Sequence, residues 1–247
     1  WSSISWKSAL NEKKKLVNSL KNLNIKKNDK VAIISQNSPQ WCIADLSIMS
    51  IGAVTVPGYT TSNEKELEYL LNHSESKGVF VSLDIFKKII KIEKKLQFLK
   101  FLICFDHNNK SLKQIHNYNY KKLIEDSDKI KIYQKNDDVI KKNDLACIIY
   151  TSGTSAQPKG VMLSHASIIA NLNGAKKFVD DIGINEHKFL SIIPLSHAYE
   201  HTGGFLLPIF IGGQIFFNNN RENLIPDIQF SKPTLMVAVP RLYDILF

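Results

Sequence analysis

The sequence predicts an α/β fold in which mixed and parallel sheets are flanked by helices. Short apolar runs alternate with helix-forming stretches along most of the chain, and this alternation is typical of parallel strands joined by helices. The 247 residues are 44% apolar and 22% charged, which is enough to bury a sizeable core in one large domain or two small ones. No internal repeat and no linker rich in proline or glycine divides the sequence.

Local signals predict the first three elements. The apolar run "KVAIISQ" (30–36) predicts a buried strand. Residues 38–52 predict a helix, because Pro39 suits its first turn and Gly52 its end. The run "AVTVPG" (53–58) predicts the second strand.

The next helix is expected at 62–74, where acidic residues crowd the beginning and the leucines 67, 70 and 71 line one face. Further strands are expected at 77–82, 101–105, 145–150, 189–194, 214–217 and 234–240, and further helices at 86–96, 165–178 and 197–211. Residues 106–143 are rich in Lys, Asn and Asp and are expected to hold a short helix and surface loops.

The net charge of +9 does not indicate a nucleic-acid partner. Of the 32 basic residues only Arg221 and Arg241 are arginines, and proteins that bind bases and phosphates favour arginine. Residues 84–142 hold 15 Lys against 8 acidic residues, a surplus of +7, which predicts a solvated lysine-rich face. Weak attraction of this face to an anionic membrane surface stays open.

The cysteines indicate a reducing compartment. Cys42, Cys104 and Cys147 are odd in number and far apart, and the last two lie in apolar runs, as reduced core residues do. No signal peptide and no apolar span of membrane length is present. We therefore expect a cytoplasmic protein, with peripheral association at a membrane surface left open. The chain begins with Trp1 and ends inside an apparent helix start, "LYDILF", so it is expected to stop within the fold.

The run "IIYTSGTSAQPKGVMLSH" (148–165) predicts a polyphosphate site. An apolar strand leads into a loop with four hydroxyl groups, followed by Lys159 and then by a predicted helix whose positive end would add to the attraction. Gly153 allows the backbone to turn tightly around an anion. The run is not a Walker A loop, because G-x-x-x-x-G-K-[ST] is absent. It also lacks the closing glycine of G-x-S-x-G.

A second candidate site fits the H-x-x-E-H pattern of zinc peptidases with His197, Glu200 and His201. Zinc would need both imidazoles on one helical face, a third protein ligand and an open coordination position. Pro194 precedes the segment and glycines 203–204 follow it, which argues against a rigid helix, and the sequence offers no identifiable third ligand. The ordinary alternative is a pair of histidines on a helix face beside a partly solvated glutamate.

Two segments carry a family resemblance. "YTSGTSAQPKGVMLSH" (150–165) closely resembles Y-T-S-G-T-T-G-x-P-K-G-V, the phosphate-binding signature of the AMP-forming acyl-CoA synthetases in the adenylate-forming superfamily. "PLSHAYEHTGG" (194–204) resembles the P-L-S-H-x-Y-E signature of the long-chain fatty-acid branch, and segments 52–82 and 233–247 are similar to other parts of that branch. The resemblance covers roughly residues 30–247 and implies the N-terminal subdomains of the adenylate-forming synthetase fold.

The resemblance implies a long-chain fatty-acid–CoA ligase that uses ATP, Mg²⁺ and coenzyme A. The implied phosphate-binding residues are Thr151, Ser152, Gly153, Thr154, Ser155, Ala156 and Lys159. Thr151 would also contribute to the Mg²⁺ site, and Lys159 and His197 would be catalytic. His197 would lie beside the reacting carboxylate, with Tyr199, Glu200 and His201 at the mouth of the acyl tunnel.

Two departures qualify this expectation. Ser155-Ala156 stand where the family usually has Thr-Gly, and the methyl group of Ala156 would cost about 1 kcal/mol if the backbone φ there is positive. The family also continues with an adenine-binding strand, a magnesium-binding glutamate, a ribose-binding aspartate and a small domain carrying a catalytic lysine. We therefore expect residues 1–247 to be an incomplete N-terminal AMP-binding (adenylation) domain, inactive alone. A non-catalytic nucleotide-binding module and, more remotely, a zinc hydrolase are the alternatives.

Overall fold

The computed structural model describes residues 2–106, 110–127, 139–151, 157–218 and 221–240. It divides into two compact units, each described by itself below. Unit one consists of Trp1–Ser35 and Pro39–His165, and unit two consists of Gln36–Ser38 and Ala166–Phe247.

Unit one is built on one sheet. In its described part seven strands pair in the order β5-β4-β3-β1-β2-β6-β7. They are β1 (Lys30–Ile34), β2 (Val54–Pro57), β3 (Gly78–Val81), β4 (Phe101–Cys104), β5 (His116–Asn119), β6 (Leu145–Thr151) and β7 (Lys159–Ser164). Each pair is parallel except β6 with β7, which is antiparallel. The predicted α/β class with a largely parallel sheet is confirmed.

The core of unit one lies where these strands meet their helices. The helices are α1 (Trp6–Asn22), α2 (Pro39–Ser50), α3 (Glu64–His73), α4 (Leu83–Ile92) and α5 (Tyr120–Asp126). Strands β2, β3 and β4 are buried at every residue, as expected for apolar runs in a parallel sheet. The side chains of β1 to β4 pack with those of α3 and α4 in one hydrophobic cluster. All three cysteines are buried and lie outside any disulfide.

Three elements of unit one were not predicted: α1, β5 and β7, of which β7 is described with the site. Helix α1 packs against α2 through Leu16 and Leu20, four residues apart and fully buried, although lysines separate them from the other apolar positions. Strand β5 has the sequence HNYN and no apolar alternation. It forms because its backbone completes the parallel ladder of β4, from the pair Phe101–His116 to the pair Cys104–Asn119.

Unit two contains a smaller sheet. Among its described residues three parallel strands pair in the order β10-β8-β9. The elements are α6 (His165–Asp181), which begins on the last residue of unit one, β8 (Lys188–Ser191), α7 (Ala198–Glu200), α8 (Leu207–Ile211), β9 (Gln214–Phe217), α9 (Leu224–Ser231) and β10 (Leu235–Met236). Helix α9 was not predicted, and β10 is shorter than the expected strand.

The helical segment expected at 197–211 is present, but its glycines do not interrupt it. Between α7 and α8 the chain forms a π-helical turn, His201–Leu206, which runs through Gly203 and Gly204. The segment is therefore not one regular α-helix, and Gly203 and Gly204 lie inside it and not after it. The described residues contain no helix that is long and apolar enough to cross a membrane.

Candidate functional site

The proposed phosphate loop is framed in unit one by a β-hairpin. Thr151 is the last residue of β6 and Lys159 the first of β7, and the two are paired across the antiparallel ladder. Both side chains are exposed. The other loop residues of the prediction, Ser152, Gly153, Thr154, Ser155 and Ala156, lie outside the described residues. The described ends of the loop therefore present one hydroxyl group and one ammonium group side by side.

The helix expected at 165–178 is present as α6, but it does not follow Lys159 directly. Strand β7 follows instead and pairs with β6 from Thr151–Lys159 at one end to Leu145–Ser164 at the other. Helix α6 begins at His165, a strand length of about 17 Å from the loop at ~3.4 Å per residue. A helix dipole acts over about one turn, so the positive end of α6 does not add to the charge at Lys159. The helix itself was predicted correctly, whereas the strand at 159–164 was not, because it forms by pairing with β6.

Both ends of the loop also contact α3. The Tyr69 hydroxyl donates to the carbonyl oxygen of Pro158 at 2.9 Å, and His73 Nδ1 shares a hydrogen bond of 2.7 Å with the Tyr150 hydroxyl. The rings of Tyr69 and His73 stack with centroids 5.0 Å apart, and Tyr150 meets each of them edge-on. Burial, and then the proximity of Tyr69, raises the pKa of Tyr150 to about 12, so its hydroxyl stays protonated at neutral pH.

In unit two, His197 begins the helical segment as the N-cap of α7. Its Nδ1 accepts a long hydrogen bond of 3.4 Å from the Tyr199 N–H, and its own N–H donates to the Pro194 carbonyl at 2.9 Å. In the neutral tautomer that this contact favours, Nε2 carries the ring proton and can donate. The side chains of His197 and Tyr199 are exposed, so both can meet a ligand.

The segment before His197 is held by Asn37, a residue that the sequence analysis did not single out. Its Nδ2 donates to Ser191 Oγ at 2.9 Å and to the Ile193 carbonyl at 2.7 Å, and its Oδ1 accepts from the Leu195 N–H at 2.8 Å. Asn37 is 7% exposed, so these bonds are shielded from water. The signal available in the sequence was a polar residue directly after the predicted strand 30–36, which is a weak one.

Glu200 and His201 differ sharply from His197, because both are fully buried. Burial raises the pKa of Glu200 to about 8. The Ser191 hydroxyl and the Ile192 N–H face the carboxyl group and offset part of the rise, but neither carboxyl oxygen has a hydrogen bond of normal geometry within the described residues. Glu200 is therefore buried and largely protonated at neutral pH, unlike the partly solvated glutamate of the ordinary alternative. His201 packs edge-on against Phe205, with ring centroids 5.6 Å apart.

These environments do not form a zinc site. His197 is an exposed helix cap and His201 is a buried side chain four residues later. In the part of the chain that the structure describes, no three His, Cys, Asp or Glu side chains are grouped so that they could hold a metal ion. Unit two instead has an exposed imidazole, that of His197, which can donate a hydrogen bond. The helical turn that follows it buries the side chains of Glu200, His201 and Phe205.

Known proteins resemble this chain along its whole length. The family model described as AMP-binding enzyme matches residues 1–247. Fatty acyl-CoA synthetase A of Dictyostelium discoideum is 31% identical over 246 residues, which are 98% of this chain and 36% of that protein. A chloroplastic long-chain-fatty-acid–[acyl-carrier-protein] ligase of Arabidopsis thaliana is 32% identical over 241 residues, 92% of this chain and 33% of that protein. The chain therefore spans about a third of the length of these relatives.

Solved structures agree in fold. The adenylation domain of a carboxylate reductase from Mycobacterium chelonae superposes with a TM-score of 0.85 at 18% identity, over 99% of this chain and 40% of that one. The anthranilate CoA ligase AuaEII in complex with anthranoyl-AMP superposes with a TM-score of 0.80 at 18% identity, over 95% of this chain and 44% of that one. At this identity the likeness concerns the fold alone, and it confirms the expected adenylate-forming fold.

Proposed function

Because this chain belongs to the family of AMP-binding enzymes, we propose that its protein activates a long-chain fatty acid with ATP and transfers the acyl group to coenzyme A. A carboxylate oxygen attacks the α-phosphorus of ATP, and the bond to the leaving pyrophosphate breaks, which gives an acyl-adenylate. The coenzyme A thiol, on losing its proton, then attacks the acyl carbon and AMP leaves. The relatives named as long-chain synthetases and the "PLSHAYE" segment support a long fatty acid as the substrate.

The observation that carries the proposal is the hairpin at Thr151 and Lys159. It presents an exposed hydroxyl and an exposed ammonium at the two ends of a loop whose sequence holds three further hydroxyl groups and one glycine. Phosphoryl and adenylyl transfer need little covalent chemistry from the protein, since most of the catalysis is alignment and stabilisation of charge. Lys159 would contact the phosphates of ATP as a point charge.

A magnesium ion fits the same end of the hairpin. Mg²⁺ takes hard oxygen ligands and keeps several waters, so it needs one or two protein oxygens besides the substrate phosphates. The hydroxyl of Thr151, exposed at the end of β6, is such an oxygen. When bound, the ion would neutralise charge on the phosphate oxygens.

The acyl side of the reaction is assigned to unit two. His197 would donate from Nε2 to an oxygen of the fatty-acid carboxylate, and the exposed Tyr199 would lie beside it. Glu200 and His201 would border the start of the acyl chain. A largely neutral Glu200 suits that place better than a charged one, because a carboxylate there would repel the substrate carboxylate and add desolvation cost.

Three lysines of the lysine-rich face are paired with acidic side chains. On α4 and the turn after it, Lys87 pairs with Asp84, Lys91 with Glu64 and Lys95 with Glu68. Such pairs leave less net charge for a polyanionic partner. Together with the buried thiols, this supports a cytoplasmic protein that meets membranes at most through weak peripheral attraction, with small-molecule substrates and no nucleic acid.

Release of pyrophosphate tests the proposed function. The full-length protein carrying this sequence is incubated with MgATP and a panel of acids from acetate to long-chain, aromatic and amino acids. We expect pyrophosphate only when an acid is present, with the highest kcat/KM for a long fatty acid, and AMP and acyl-CoA once coenzyme A is added. Nucleotide binding without any acid-dependent pyrophosphate would instead establish a non-catalytic nucleotide-binding module.

A further inference from the structure

Helix α3 holds both ends of the phosphate loop. The two contacts come from one helical face, because Tyr69 and His73 are four residues apart. Tyr69 bonds the carbonyl of Pro158, the residue before Lys159, and His73 bonds the hydroxyl of Tyr150, the residue before Thr151. The residues directly before Lys159 and Thr151 are therefore both hydrogen-bonded to α3.

The helix is well fixed for this task. At its beginning, Asn63 Oδ1 accepts from the Glu66 N–H at 3.1 Å and the Glu66 carboxylate accepts from the Asn63 N–H at 2.8 Å, a reciprocal cap that anchors the first turn. Leu67 and Leu71 are 1% exposed and fix the helix against the core. The face carrying Tyr69 and His73 therefore has little freedom to shift.

The contact at Pro158 acts directly on Lys159. A hydrogen bond to the Pro158 carbonyl orients the peptide plane that Pro158 shares with Lys159, since that plane is nearly rigid. Proline has no N–H to bond the opposite strand, and the ladder with β6 ends at the Thr151–Lys159 pair. Past that pair, the Tyr69 hydroxyl bonds the described backbone that leads into Lys159.

We propose that Tyr69 and His73 are positioning residues for ATP, which hold Lys159 and Thr151 where they meet the phosphates. The proposal rests on the proposed function in that ATP is the ligand of this hairpin. When Tyr69 and His73 hold the loop ends rigid, less conformational entropy is lost on binding the nucleotide. Removing either hydrogen bond should therefore weaken nucleotide binding, although neither side chain touches the nucleotide.

The variant Y69F tests the contribution of the Tyr69 hydroxyl group alone. In the full-length protein, Y69F keeps the ring that stacks on His73 and loses the bond to Pro158. We expect the Kd for MgATP, measured by calorimetry, to rise about three- to tenfold, the effect of one hydrogen bond, with KM for the acid unchanged. Hydrogen exchange at the amides of residues 157, 159 and 160 should accelerate while β1 and β3 stay as protected as in the wild type. Y118F, the same substitution on the edge strand β5, is the matched control and should change neither measurement.

His73 is tested by loss and rescue. H73L should weaken MgATP binding to a similar extent, whereas H73N, which can place a polar amide atom near the position of Nδ1, should restore most of it. If the wild type binds MgATP and Y69F and H73L bind it equally well with unchanged hydrogen exchange, the positioning role is wrong and the proposed function stands. If the wild type itself binds no MgATP, the proposed function is wrong, and ATP is not the ligand of the hairpin at Thr151 and Lys159.

Discussion

The carboxyl group of Glu200 occupies the space beside Gly204 in which any other residue would carry its side chain. A Cβ atom added at residue 204 would lie 2.5 Å from the Glu200 carboxyl carbon and closer still to Oε1. The two residues are four apart on the helical segment, where side chains face one another. Gly204 therefore does not end the helix; it makes room for a buried acid.

Replacing Gly204 with alanine should destabilise the protein. The added methyl group must displace a fully buried carboxyl group, and overpacking of this kind typically costs about 1–3 kcal/mol. G174A on α6 is the matched control, because nothing lies within 4 Å of the position of its added Cβ. That variant should be more stable than the wild type by about 0.5–1 kcal/mol. Urea unfolding measures both, and equal stability of G204A and the wild type would refute the packing of Glu200 against Gly204.

The stability of the fold should depend on pH through Glu200. Its pKa is about 8 in the folded state against an ordinary 4.5, so between these values the folded state keeps a proton that the unfolded state has released. The stabilising contribution is fully present below pH 4.5 and lost as pH rises through about 8, with a slope of at most about 1.4 kcal/mol per pH unit.

E200Q removes this titration and keeps the shape of the side chain. We expect the difference in unfolding free energy between E200Q and the wild type to be smallest near pH 5 and to grow in favour of E200Q up to pH 8. Because other groups titrate in both proteins, the difference isolates Glu200. A difference that stays constant from pH 5 to pH 8 would mean that Glu200 is ionised in the folded state.

The sequence predicted the strands and helices whose local pattern and tertiary role agree. The runs 30–36, 53–58, 77–82 and 101–105 are apolar because they are buried in a parallel sheet, so composition alone locates them. Strands β5 and β7 depend on a neighbour instead. Strand β5 forms by pairing with β4, and strand β7 by pairing with β6. The sequences "HNYN" and "KGVMLS" contain no local pattern that predicts this pairing.

The sequence supplied the candidate site residues but not their environments. His197 and Lys159 are exposed, as groups that meet a ligand must be. The burial of Glu200 and the bonds of Asn37 could not be predicted, because both depend on distant parts of the chain. Asn37 lies 154 residues before Ser191, to which it donates. Burial raises the pKa of Glu200, and the Ser191 hydroxyl and the Ile192 N–H, eight or more residues earlier in the chain, lower it in part.

Asn37 should affect catalysis through the position of His197. N37A removes three hydrogen bonds to the segment that leads into His197 and leaves their partners unsatisfied, at a cost of roughly 2–4 kcal/mol. We expect kcat for acyl-adenylate formation to fall with KM for ATP little changed. N171A, which removes an exposed side-chain bond on α6, is the control. Should N37A raise KM for ATP and leave kcat intact, the segment would not position His197 for chemistry.

His201 should influence the choice of acid more than the use of ATP. It is fully buried and packed against Phe205, where the proposed function places the start of the acyl chain. H201A should therefore change the ratio of kcat/KM values between long and medium fatty acids while KM for ATP stays constant. L224A truncates another buried side chain of unit two, 4% exposed, and should lower stability without shifting that ratio. Equal effects of H201A on both substrates would assign His201 to packing alone.

Lys159 should matter for ATP and not for the acid. Its ammonium group is exposed at the first residue of β7, opposite Thr151, and loss of a charge-assisted contact to phosphate typically costs about 1.5–3 kcal/mol. K159A should therefore raise KM for ATP roughly ten- to hundredfold, whereas K159R, which keeps the charge, should retain part of the affinity. K177A removes an exposed lysine of α6 and controls for the change in net charge.

Raising the salt concentration should weaken ATP binding more in the wild type than in K159A, because ions screen an exposed charge. If KM for ATP and its salt dependence are the same in K159A and the wild type, Lys159 does not contact the phosphates, and the hairpin at Thr151 is not the nucleotide site.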